Sequence, residues 1–137
     1  MTDGVFTLDF PARADYLVLA RLALTGIARL ASSDEEAVSD LRLAVTEAAA
    51  NACHHAYPGN EVGTVSIRFE LRGPRLEVLV EDDGAGFDET AADQLNPDDL
   101  GVDGMGLAII RAVADDVEVG PRSNGSGTTV RFSRILR

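Results

Sequence analysis

Between Val65 and Val80 apolar residues fall at every second position on both sides of Gly73-Pro74: Val65, Ile67, Phe69 and Leu71 before it, Leu76, Val78 and Val80 after it. A period of two places each run on one face of a strand, and Gly-Pro turns the chain, so the spacing predicts an antiparallel hairpin with one apolar face. That face has to be covered by another layer. Two upstream segments carry the pattern of helices that could cover it. Leu17, Ala20, Leu24, Ile27 and Ala28 form a stripe in a helix expected from about Ala12 to Ala31, and Val18, Leu19 and Leu22 widen it beyond one face. Ser33, followed three residues later by Glu36, reads as a capping box, so a second helix is expected from near Asp34 to about Tyr57, stopped by Pro58-Gly59-Asn60.

Around this nucleus, Phe6, Leu8 and Phe10 alternate as a first strand that Pro11 ends. A helix from about Gly104 to Ala114, a strand around Val117 and Val119, a Ser123–Gly127 turn and a last strand through Val130 and Phe132 follow the hairpin. Helices grouped before and between antiparallel-looking strands predict an α+β fold. The expected architecture is a two-layer sandwich: a mixed, mainly antiparallel sheet covered on one face by helices. At 137 residues the chain suits a single domain over 1–137. Residues 87–103 form a connection too long for an ordinary turn, and loops of that length commonly carry function.

Charge narrows the function classes. The net charge is −11, and the twelve basic residues are all arginine, so no basic patch is available to displace counterions from a nucleic acid. The same acidity suits a partner with a basic face. One cysteine, Cys53, excludes an intramolecular disulfide and fits a reducing compartment. No apolar run approaches the ~18 residues of a membrane span, and Met1-Thr2-Asp3-Gly4 lacks a basic leader. A cytoplasmic location without membrane attachment is the expectation.

Three segments could carry chemistry. Glu47 and Asn51 stand four residues apart on the second helix, with His54 and His55 a turn further, and Ala48, Ala49, Ala50 and Ala52 leave room beside them. A carboxylate beside an amide oxygen suits a hydrated Mg²⁺; a solvated helix face is the plainer reading of the same stripe. Asp82-Asp83-Gly84-Ala85-Gly86-Phe87 follows a strand, which fits a simple turn as well as a close backbone approach to a ligand. Gly104-Met105-Gly106-Leu107 opens a helix, where unsatisfied N–H groups could face phosphate, although glycine also occurs at ordinary helix starts.

In this order the segments resemble the boxes of the GHKL ATPases. Glu47 to Tyr57 resembles the N box, Asp83-Gly84-Ala85-Gly86 the first glycine box, Gly104-Met105-Gly106-Leu107 the second, and Gly127-Thr128 the third. Within that superfamily the chain is most similar to the anti-sigma-factor serine/threonine kinases, from about Phe10 through Phe132, including Pro11-Ala12, Tyr16, Arg21-Leu22 and Gly26 of the first helix. The resemblance implies ATP and Mg²⁺ as cofactors, Glu47 as general base, Asn51 as metal ligand and Asp83 as acceptor for the adenine amino group. It implies that Gly84, Gly86, Gly104, Met105, Gly106, Leu107 and Thr128 line the nucleotide, with residues 87–103 as a lid. His55 stands where the family carries a histidine. Implied partners are a sigma factor, with Arg21 as a contact, and an anti-anti-sigma antagonist that is phosphorylated; a homodimer stays open. The lid departs from the family: its charged residues are Asp88, Glu89, Asp93, Asp98, Asp99 and Asp103, with no cation for the terminal phosphates. That departure is the basis of an alternative reading, a nucleotide-binding partner switch with little kinase activity.

Overall fold

A computed structural model describes residues 3–32, 34–55, 63–83, 102–121 and 127–136. The elements run β1 (Gly4–Pro11), a 3₁₀ turn (Ala14–Tyr16), α1 (Leu17–Arg29), α2 (Glu35–His55), β2 (Thr64–Arg72), β3 (Arg75–Asp82), α3 (Val102–Val113), β4 (Asp116–Pro121) and β5 (Thr128–Ile135). The strands form one sheet in the order β1-β2-β3-β5-β4. Each pairing is antiparallel, so within the described residues the sheet lacks the parallel pairing that a mixed sheet would have. The last strand lies between β3 and β4, and α3 crosses from one to the other.

The expected hairpin forms with Val65 opposite Asp82 and Leu71 opposite Leu76. Its two-residue turn needs glycine first: Gly73 has φ 55, which an L side chain rarely adopts. Val65, Ile67, Phe69, Leu71, Leu76, Val78 and Val80 all point into the core, with Phe10, Val130 and Phe132 from the neighbouring strands. The opposite face carries charges joined in pairs. Arg131 reaches Asp116 at 2.9 Å and Glu118 at 3.0 Å, and its two carboxylate bonds raise its already high pKa further.

α2 lies between α1 and α3 and touches the sheet as well. Ala37, Val38, Leu41, Ala44, Val45, Ala48, Ala49 and Ala52 are its buried residues, and the alanines allow a close approach to neighbours on both sides. α1 buries Ala20, Leu24, Ile27 and Ala28 and leaves Val18, Leu19 and Leu22 exposed.

Helix starts differ from the sequence expectation in three places. α1 begins at Leu17 rather than Ala12, because Arg13 is extended and residues 14–16 make a 3₁₀ turn with nothing to bury. At the start of α2, Asp34 Oδ1 accepts from the N–H groups of Glu36 and Ala37 at 3.1 and 3.3 Å, the N-cap geometry. Ser33, expected in that role, lies outside the described residues. α3 begins at Val102, two residues ahead of Gly104.

Candidate functional site

The site is built where the C-terminal half of α2 meets the start of α3 and the end of β3. Glu47 and Asn51 lie one turn apart on the α2 face that meets α3. Gly106 of α3 comes up against both of them. A Cβ on Gly106 would stand 3.1 Å from Glu47 Oε2, 3.4 Å from Asn51 Nδ2 and 3.5 Å from Asn51 Oδ1. Gly106 is the fifth residue of α3 and so lies past the four positions whose N–H groups lack an intrahelical partner. A methyl group at this position would press on the two α2 side chains. Leu107 packs against the core beside the fully buried Ile110 and anchors this end of the helix.

The second part of the site lies at the end of β3. Asp82 is buried, at 6% exposure, and pairs in register with Thr128, while the next residue, Asp83, is exposed. Asp83 Oδ1 accepts a hydrogen bond from the Thr64 N–H at 3.1 Å, which orients the carboxylate from the neighbouring strand. Gly127 crosses directly over this corner. Its φ is +107, and a Cβ there would stand 1.8 Å from the Asp82 carbonyl oxygen and 3.1 Å from Asp83 Cα. Only glycine fits both the dihedral and the approach.

Cys53 links the two parts. It stands two residues beyond Asn51, and its thiol pKa is raised by burial and then by the negative charge of Asp82. The effect of Asp82 on Cys53 puts the C-terminal end of α2 beside the end of β3, where Asp82 pairs with Thr128 and Asp83 follows. His54 and His55 are the last two residues of α2. Gly84, Gly86 and nearly all of the expected lid lie outside the described residues.

The donor set fits the nucleotide and ion that the resemblance implies. A carboxylate and an amide on successive turns offer hard oxygen ligands, and an ion that keeps most of its waters needs few of them. Among the described residues no group of three or more His, Cys, Asp or Glu side chains could form a protein cage for a metal. Beside Asp82 and Asp83 at the end of β3 stand the Cys53 thiol and the Thr64 N–H, and neither is signalled by a motif of its own.

The family described as histidine kinase-like ATPase domain matches residues 10–134. The chain belongs to that family. Among curated members, the serine-protein kinase RsbW of Listeria monocytogenes is 40% identical over 121 residues, covering 82% of this chain and 77% of that protein. RsbW of Bacillus subtilis is 38% identical over 137 residues, covering 94% of this chain and 84% of its own. Among solved structures, the histidine kinase domain of the Erythrobacter litoralis blue-light activated histidine kinase matches with a TM-score of 0.59 at 26% identity, over 93% of this chain and 62% of that one. Against a longer chain of that kinase the TM-score is 0.61 at 27% identity, and this histidine kinase-like ATPase spans 41% of its length. Among the described residues no helix is long and apolar enough to cross a membrane.

Proposed function

We propose that this histidine kinase-like ATPase is a serine/threonine protein kinase that uses Mg-ATP to phosphorylate an anti-anti-sigma antagonist and that sequesters a sigma factor. The observation that carries the reading is the juxtaposition of Glu47 and Asn51 with Gly106; Asp83, held by the Thr64 N–H at the end of β3, supports it. Similarity to serine-protein kinases over most of the chain supports a serine or threonine hydroxyl as acceptor.

In this reading Asp83 recognises the adenine amino group of ATP, Thr128 lies under the ring, and α3 presents its first N–H groups to the phosphates. Glu47 accepts the proton of the substrate hydroxyl as its oxygen bonds to the γ-phosphorus and the bond to the β-phosphate oxygen breaks, releasing ADP. Asn51 would hold Mg²⁺, which when bound would neutralise charge on the phosphates. The all-acidic stretch 88–103 supplies no cation, so an arginine of the protein substrate or of a second subunit would complete the site.

The exposed side of α1 is the surface offered to the sigma factor. Val18, Leu19 and Leu22 are 44%, 40% and 64% exposed on one face. Arg21 borders them, half-buried, with no ion-pair partner among the described residues. Arginine beside an apolar patch is a common interface anchor.

The experiment is transfer of labelled γ-phosphate from ATP to candidate antagonists, followed by acid treatment of the product. An acid-stable phosphoester is expected. Labelled protein that loses its phosphate in acid, or ATP binding with no transfer to any antagonist, would overturn the kinase reading.

A further inference from the structure

Arg134 belongs to the inward-facing set of β5, alternating with Arg131 on the outer face, and is 20% exposed. Its guanidinium bonds two helices at once. Nη1 donates to Asp40 Oδ2 on α2 and to the Val113 carbonyl oxygen, the C-terminal residue of α3, at 2.8 Å. Asp40 precedes Glu47 by seven residues on α2, and Val113 follows Gly106 by seven on α3. The two helices therefore run antiparallel and are tied at two levels about 10 Å apart, the rise of seven helical residues. One level is the Arg134 bridge; the other is the approach of Gly106 to Glu47 and Asn51.

We propose that Arg134 is a positioning residue for phosphoryl transfer, setting the axial register of α3 on α2 so that Gly106, and no side-chain-bearing residue, faces Glu47 and Asn51. The inference rests on the proposed role of those two residues. A slip of α3 by one residue moves it about 1.5 Å and turns it about 100°. Met105 or Leu107 would then come to the place where even a methyl group stands 3.1 Å from the Glu47 carboxylate. The turn after α3 is bonded to the sheet separately, Asp115 N–H to the Ser133 carbonyl at 2.8 Å and Ile135 N–H to Asp115 Oδ2 at 2.7 Å. Those bonds fix α3 to β5; the Arg134 bridge also refers it to α2. Arginine suits the task because its planar donors hold two acceptors in fixed relative positions.

The test uses Arg134→Met with Asp40→Leu, which replaces the pair by apolar groups and so leaves no unpaired charge to unfold the protein, together with Arg134→Lys and Glu47→Gln. All are compared well below their thermal midpoints. In the folded double variant the single-turnover transfer rate at saturating ATP should fall about 10- to 100-fold, the order expected from a small misplacement of catalytic groups. In nucleotide-free protein, amides of α3 should exchange faster while those of β2 and β3 stay as in wild type. Arg134→Lys should recover part of both. Wild-type transfer and wild-type α3 exchange in the double variant would overturn the proposal, as would a loss that merely tracks the unfolded fraction. If Glu47→Gln transfers like wild type, the site reading fails by itself, and α3 exchange still decides the register claim.

Discussion

Gly106 is packed against Glu47 so closely that a methyl group on it would meet the carboxylate at 3.1 Å. The contact joins two sequence motifs more than fifty residues apart and assigns the glycine a task separate from phosphate binding. Gly106→Ala should keep or raise thermal stability, because alanine gains up to about 1 kcal/mol over glycine inside a helix. The carboxylate, as the end of a flexible side chain, can turn aside. Transfer should fall because the displaced group is the proposed base. Thermal melting beside single-turnover kinetics checks this: stability retained with rate lost is the expected pair.

Gly127 tolerates no such change. At φ +107, with an added Cβ 1.8 Å from the Asp82 carbonyl oxygen, alanine would be strained in dihedral and blocked by backbone. Gly127→Ala should cost more than about 3 kcal/mol, since a side chain in that φ region alone costs about 1–3. Urea unfolding of the two proteins measures the difference.

At Asp83 the change is chemical rather than steric. Asn in its place keeps an oxygen for the Thr64 N–H but turns the other acceptor into a donor. ATP affinity should drop by about 1.5–3 kcal/mol, the range for a hydrogen bond to a charged group. Calorimetric titration with ATP, and with GTP as a base control, reads it directly.

Much of this was legible in the sequence because the signals are local. The period of two between Val65 and Val80, with Gly73-Pro74 between the runs, is enough to place the hairpin, and the Glu47–Asn51 spacing is enough to put both residues on one helical face. Relations between distant segments were not legible. Nothing in Gly106 itself tells that an α2 carboxylate fills its side-chain space, and nothing in Arg134 tells that it bonds Asp40 and Val113. The start of α2 was locally ambiguous, since Ser33 and Asp34 both suit an N-cap, and Asp34 Oδ1 accepts from the first N–H groups.

Cys53 provides a pH readout of the same corner. Burial, and then the charge of Asp82, raise its thiol above the ordinary value of about 8.5. A raised thiol pKa in the folded state favours the protonated native form, so its contribution to stability is complete below the unfolded pKa. It is lost as pH rises through the folded one. Between pH 8 and 10 the wild type should therefore lose stability faster than Cys53→Ala, and alkylation of the native thiol should lag that of the unfolded chain. Parallel pH dependences in the two proteins would contradict the burial of the thiol beside Asp82.

The measurement that bears most directly on the proposed mechanism compares wild type and Glu47→Gln in single-turnover transfer from ATP to the antagonist, with ATP affinity determined on both. Glutamine keeps the shape and hydrogen-bonding capacity against Gly106 and Asn51 but removes the basic carboxylate. The account predicts ATP binding within a factor of about two of wild type and a transfer rate lower by ~10²–10⁴-fold, the usual contribution of a positioned general base. Equal transfer rates in the two proteins would contradict it.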